Sequence, residues 1–375
     1  MANMFDYLTW RGDLTLSQSP FQDVDSLILS TLAYVFFDGI VPESREETIT
    51  IAQASELYFA RPQTAWRSRV EQDLELLAYL AESERFSKME LCGYVNRLDF
   101  AAEKQFSALT IQTGDDMAFV AYRGTDSSSV GWKEDFNMSF MDTVPAQQDA
   151  GIYLCQAAEH FGGKLRVGGH SKGGNLAVFA AAMCPKDVQE RIVAVYNHDG
   201  PGFREGMLQR EGYRAILPRV QTFVPRSSVI GMLLEHEEEY TVIQSSQKGI
   251  MQHDPYSWKI IGKDFVRLEA LSEESRLLDK TVKAWLNGLP EEQREKFVDT
   301  VYEGISILPM DEFGEIQISP KGALQALRAW GDEDVETKKL IGDSLKLLIQ
   351  AARKTVEEYT LPKLGNWERR NENEK

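Results

Sequence analysis

Residues 164–182, KLRVGGHSKGGNLAVFAAA, decide how this chain reads. Leu165, Arg166 and Val167 have the character of a short strand. Gly168 and Gly169 open a tight turn with His170, Ser171 and Lys172 at its apex. Gly173 and Gly174 let the chain turn again, and residues 175–183 read as a helix rich in Ala, Leu, Val and Phe. Strand, Gly-x-Ser-x-Gly, helix is the pattern of a nucleophile elbow. It forces the apex serine into a strained backbone, and side chains two before or two after would collide with their neighbours. The serine then stands at a helix N-terminus, which favours developing negative charge. Alone, the pentapeptide also fits a plain Gly-rich turn. The strand before, the small-residue helix after and a histidine far downstream favour chemistry.

Working outward, residues 117–122 (MAFVAY) and 106–112 are β-prone and flank Thr113-Gly114-Asp115-Asp116, a hairpin signal. Residues 146–161 have helical spacing and lead into the elbow strand. After the elbow, residues 191–197, 220–225 and 240–246 read as further strands. This alternation predicts an α/β fold with a mainly parallel sheet flanked by helices. Ligands of such sheets bind at the carboxyl ends of the strands. Upstream, residues 23–37, 46–60 and 66–83 read as helices that pack on the later sheet, and residues 1–19 as an irregular lead-in with a short strand. From Phe265 onward the pattern is charged and helical (272–286, 291–303, 321–330, 336–358) without comparable strands, and residues 366–375 read as a frayed end. The division expected is an α/β domain over 1–264 and a helical extension over 265–375.

Among 375 residues, 43% are hydrophobic and 26% charged, as in a globular chain. A net charge of −17 argues against nucleic acid and against simple adsorption to anionic membranes. Glu235 and Glu237–Glu239 within that charge read as solvated surface. The three cysteines are too widely spaced for a disulfide framework or zinc motif, and His-x-x-x-His is missing, so no metal or other cofactor is expected. Gly173-Gly174 is followed by Asn175, which does not fit a phosphate loop. The opening MANMFDYLTWRGD has no apolar core of a leader, and no apolar run approaches about 20 residues. A cytoplasmic protein is expected, with peripheral membrane contact open if its substrate is a lipid.

Acyl transfer needs a nucleophile, a base, a group that orients the base and donors for the oxyanion. With Ser171 as nucleophile, five histidines compete for the base. In the order nucleophile, acid, histidine, His160, His170 and His198 come too early. His236 lies in HEEEY, read as exposed acidic surface, and His253 in the loop after the last strand is favoured. For the acid, Asp199 in HDGPGF is favoured over Asp254, whose side chain should diverge from its neighbour's, and over Glu235. The backbone N–H groups of Lys172 and Thr125 are the oxyanion donors expected, with the Thr125 hydroxyl adding a third. The Lys172 side chain reads as a surface cation, able to assist an anionic head group.

Tyr122-Arg123-Gly124-Thr125, Trp132, Asp135 and Gly169-His170-Ser171-Lys172-Gly173-Gly174 together resemble the signature of class 3 lipases. The wider pattern resembles the Mbeg1-like, lipase-related family. It adds Tyr7-Leu8, Trp10-Arg11-Gly12-Asp13, Pro20-Phe21, Val24-Asp25, residues 228–233 (SVIGML) and Gln252-His253-Asp254-Pro255 with Trp258. The resemblance spans about residues 5–260. It implies an α/β-hydrolase fold, with Ser171 as nucleophile, His253 as base, and Thr125 and Lys172 as oxyanion donors. Two departures stand out. Lys172 replaces the usual Leu, and Arg226-Ser227-Ser228 follows strand 220–225, where class 3 lipases carry their acid. Asp199 instead resembles the acid position of pancreatic-type lipases.

The resulting expectation is a serine hydrolase of carboxylic esters, acting on an ester or lipid small molecule through Ser171, His253 and Asp199. The alternatives are a non-catalytic module of the same shape that binds a partner through its acidic helical tail, and perhydrolase or transacylase chemistry on the same triad.

Overall fold

The computed structural model describes residues 2–126, 128–288, 290 and 292–296. The chain divides into two compact units, Met1–Ala270 and Leu271–Lys375.

In the first unit nine strands form one sheet in sequence order: β1 (Ile49–Thr50), β2 (Glu90–Asp99), β3 (Lys104–Gln112), β4 (Met117–Tyr122), β5 (Lys164–His170), β6 (Ile192–His198), β7 (Val220–Pro225), β8 (Tyr240–Ile243) and, after the two-residue hairpin strands β9 (Ile260–Ile261) and β10 (Asp264–Phe265), β11 (Arg267–Leu268). Strands β4 to β8 run parallel, while β1 to β4 and β8–β11 pair antiparallel. The β3–β4 hairpin turns at Gly114 (φ +80°), as the Thr-Gly-Asp-Asp signal predicts.

Residue alternation splits the parallel strands between two cores. Ala118, Val120 and Tyr122 of β4, with Leu165 and Val167 of β5, pack with the connecting helices between parallel strands. Phe119 and Ala121, one residue out of phase, face the helices that precede the sheet in sequence. Parallel strands laid down in sequence order need right-handed connections on one face only. The other face is therefore left for the N-terminal helices.

Those helices are α1 (Met4–Arg11), α2 (Asp23–Leu32), α3 (Ile51–Phe59) and α4 (Glu71–Glu82). The lead-in expected to be irregular is α1: Asn3 caps it, accepting from the Phe5 amide at 3.0 Å, while Asp6 returns the bond to the Asn3 amide at 2.8 Å. Helix α3 starts later than the spacing suggested, because Ile49 and Thr50 pair with β2. Strand β2 itself was not legible, since its alternation breaks at a bulge between Cys92 and Val95 with Gly93 at φ +62°. Asp25 and Arg85, both fully buried, form a two-pronged ion pair that also takes the Tyr7 hydroxyl.

In the second unit, Glu273–Gly288 is helical, and residues 292–296 are helical as well. The helices expected at 321–330 and 336–358, most of that at 291–303 and the frayed end lie outside the described residues. Strand β11 and the residues after it carry the first unit on to Ala270. Among the described residues no helix is long and apolar enough to cross a membrane.

Candidate active site

After β4 come α5 (Ser129–Asn137) and α6 (Pro145–His160), and Ser171 stands between β5 and α7 (Lys172–Met183). Ser171 has φ 59° and ψ −134°, a conformation that costs a non-glycine residue roughly 1–3 kcal/mol. A Cβ on Gly169 would lie 2.2 Å from the Gly173 carbonyl carbon, and one on Gly173 2.2 Å from the Tyr122 carbonyl oxygen. The two glycines the motif requires are thus required by backbone contact. The Ser171 amide donates to the His198 carbonyl at 2.9 Å, fixing the bend to the end of β6.

Asp199 follows β6 directly. It is fully buried with φ 54°, and its amide donates to Phe223 of β7 at 2.8 Å. Its Oδ2 lies 2.7 Å from His253 Nδ1, and its Oδ1 accepts the Ser228 hydroxyl at 2.5 Å. A carboxylate only accepts, so Nδ1 is the donor, and in the neutral imidazole the lone pair then lies on Nε2. Ser228 follows β7, and its hydroxyl braces a carboxylate that follows β6. A Cβ on Gly231 would meet Asp199 Oδ1 at 2.1 Å, so the glycine leaves the carboxylate its room.

His253 ends the short turn Gly249–His253, which is tied down on several sides. Trp258 Nε1 donates to the Gln252 carbonyl at 2.9 Å, and the Ser227 amide to Gln252 Oε1 at 3.0 Å. His170 Nε2 donates to the His253 carbonyl at 2.8 Å, and Tyr34 Oη donates to His170 Nδ1 at 2.9 Å. Burial, and then the neighbouring His253, hold the His170 imidazole well below its usual value, so it is neutral. His170 therefore supports the turn that carries His253. The Ser171 hydroxyl and His253 Nε2 form no hydrogen bond among the described residues, and neither is among the buried unpaired atoms. Both are open to a ligand.

The other histidines are otherwise employed. His160 lies 3.4 Å from Glu46 on the surface side of α6. His198 is buried with Nε2 2.9 Å from the Ser26 hydroxyl, and burial pushes it down to about 3. The reading of HEEEY as solvated surface is overturned at Glu238, which is buried, and at His236, whose side chain is only 8% exposed. Glu238 accepts from Tyr213, Thr222 and His236; burial opposes its charge, but the His236 bond and charge, with the Tyr213 bond, hold it at about 2. The other glutamates of the run, Glu235, Glu237 and Glu239, are exposed, so the run as a whole has the composition of surface. Asp254 caps the next turn by accepting from the Tyr256 amide at 3.2 Å, and Glu235 pairs with Phe203 through its backbone.

On the opposite side of Ser171 lies the loop after β4. A Cβ on Gly124 would come within 3.1 Å of the Ser171 Cβ, so Thr125 follows a close approach to Ser171. Among the described residues neither the Thr125 nor the Lys172 amide has a hydrogen-bond acceptor. The Thr125 hydroxyl, expected to add a donor, gives its proton to Asp135 Oδ2 at 2.6 Å. Burial raises the Asp135 carboxyl to about 6, against the Lys172 charge and the Thr125 bond. The reading of Lys172 as a surface cation is also wrong. Its side chain is 1% exposed, and Nζ donates to Glu134 Oε2 (2.9 Å), the Gln105 carbonyl (2.9 Å) and Gln105 Oε1 (2.6 Å). A lysine in an apolar stretch signals a buried partner, but the partner lies far away in sequence.

A shallow cleft borders α7 a turn beyond Ser171, with Met138, Met141, Asn175, Phe203 and Leu234 in its walls. Among the described residues no group of three or more His, Cys, Asp or Glu is placed to hold a metal.

Solved structures with some similarity are lipases. The Rhizomucor miehei lipase in its native propeptide complex is 13% identical, with 64% of this chain and 81% of that one covered and a TM-score of 0.36. M37 lipase is 14% identical, covering 56% and 69%, with a TM-score of 0.36. Lip2 lipase from Yarrowia lipolytica is 10% identical, covering 52% and 77%, with a TM-score of 0.32. No curated protein matches the chain. The Mbeg1-like family profile matches residues 80–303, which include β3 to β8, the elbow, Asp199 and His253 but not the N-terminal stretches that resemble it. The chain belongs to the Mbeg1-like family.

Proposed function

We propose that this chain hydrolyses carboxylic esters, with Ser171 as nucleophile, His253 as general base and Asp199 as the group that orients the base. The observation that carries the reading is the 2.7 Å contact between His253 Nδ1 and the buried Asp199 carboxylate, beside a serine held at φ 59°. Asp199 fixes the tautomer in which Nε2 can accept the Ser171 proton, and stabilises the imidazolium that results. The Ser171 oxygen then attacks the ester carbonyl. The carbonyl oxygen takes up charge, which the Thr125 and Lys172 amides, both without another acceptor, are free to receive. His253 returns the proton to the departing alcohol, leaving an acyl group on Ser171. Water, deprotonated by His253, releases the acid and restores the serine. An ester or lipid small molecule is the substrate class, and the same acyl-enzyme could pass its acyl group to another acceptor.

The test is hydrolysis of p-nitrophenyl esters of increasing chain length. Turnover by the wild type, lost in Ser171→Ala, supports the reading and gives the acyl preference. A folded wild type inert on every ester and unreactive to a fluorophosphonate would leave a binding module of hydrolase shape.

A further inference from the structure

Helix α5 is built the wrong way round for an element held by apolar packing. Trp132 and Phe136, one turn apart, are 48% and 39% exposed, while Lys133, Glu134 and Asn137 face inward. The inward residues are tied by polar contacts: Asn137 Nδ2 donates to Glu103 at 2.7 Å, and Glu134 pairs with Lys172. Glu134 is fully buried and collects further bonds. Its Oε1 accepts the Ala146 amide (2.8 Å), at the start of α6, and its Oε2 the Gln105 amide (3.1 Å), at the start of β3. Gln105 Nε2 reaches the Gly124 carbonyl at 3.5 Å, and the residue after Glu134, Asp135, accepts the Thr125 hydroxyl.

We infer that the Lys172 side chain is a positioning residue for the oxyanion donors, and that it acts through Glu134 and Gln105. Its own amide is one proposed donor, on the residue that follows the nucleophile. Its ammonium holds α5 and β3, and those hold Gly124 and Thr125, whose amide is the other donor. One side chain thereby ties both donors into a single buried network. Stability is a poor explanation for such a pair, because desolvating two charges offsets much of their attraction. What a fully bonded pair supplies is fixed geometry, and catalytic donors must be aimed before the charge develops. A hydrophobic residue at this position, as in class 3 lipases, could pack but could not reach three acceptors at once.

This inference rests on the proposed ester hydrolysis. The double variant Lys172→Met/Glu134→Gln removes both charges together and leaves no unpaired one. With a p-nitrophenyl ester its kcat should fall roughly 10- to 100-fold, somewhat less than removal of a whole donor, while KM stays within about twofold. Its fluorophosphonate labelling rate should fall in parallel. Gln105→Met keeps the ion pair and cuts the tie to Gly124; a smaller fall in kcat, about threefold or more, is expected at unchanged KM. The second variant decides the matter if the first does not fold. Unchanged kcat in a folded variant whose wild type is active overturns the inference alone. A loss appearing only in KM, or only as a lower melting temperature, overturns it too. A wild type that neither hydrolyses nor labels overturns the hydrolase reading and this inference with it.

Discussion

On one side of Ser171, His253 and Asp199 sit on loops; on the other, Lys172 and Thr125 are fixed by buried charge. The His253 side chain is 23% exposed, and its turn is held by single bonds from His170, Ser227 and Trp258. The Lys172–Glu134 pair is at most 1% exposed and bonds to two further segments, Gln105 of β3 and Ala146 of α6. Under the proposed mechanism the difference follows from the two tasks. A base that shuttles a proton needs access to solvent and some freedom to swing between serine, alcohol and water. Oxyanion donors do no moving, and any slack in them weakens the charge they receive. Disorder should therefore be tolerated on the loop side and penalised on the buried side.

Substitutions can break this contrast. The largest effect is expected for His253→Ala, with kcat down roughly 10³- to 10⁵-fold and KM little changed in steady-state ester hydrolysis. Asp199→Asn keeps the volume but lets the amide favour the wrong tautomer, so a fall of about 10²- to 10⁴-fold should appear in the same assay. Gly231→Ala places a methyl group where Asp199 Oδ1 now lies, 2.1 Å from it. Moving the carboxylate should lower kcat about 10- to 100-fold, and a normal rate would show that the loop adapts without disturbing the acid. Ser228→Ala removes one bond to the same oxygen and should cost about tenfold or less in kcat.

The smallest effect sharpens the buried side. Asp135 has its carboxyl raised from 3.8 to about 6 by burial. Between those values the folded chain holds a proton that the unfolded chain has lost, so its contribution to stability declines as pH rises through the window. Urea unfolding at pH 4 and pH 6.5 should show Asp135→Asn gaining stability relative to wild type at the higher pH. Equal differences at both pH values would remove Asp135 from the account.

The elbow at Ser171 and strands 117–122 and 220–225 were legible in the sequence, and Asp199 and His253, singled out there, lie 2.7 Å apart. Each of these is encoded locally, by glycine spacing, alternation or loop composition. What it missed depends on distant partners. Lys172 looks like surface until Glu134 and Gln105 are brought to it, and Glu238 looks solvated until Tyr213 and Thr222 close on it. Ser228 was visible only as part of a motif, and its bond to Asp199 joins two different strand ends. His170 was set aside as too early to be the base, and nothing in its neighbours signals the bond to the His253 carbonyl. Strand β2 escaped because its bulge at Gly93 interrupts the period on which strand recognition rests.

The most direct test of the central claim is mass spectrometry of the intact protein after reaction with a fluorophosphonate, followed by peptide mapping. The account predicts a single adduct on Ser171, formed much more slowly in His253→Ala and not at all in Ser171→Ala. An adduct on another residue, or equal labelling of the Ser171→Ala protein, would contradict it.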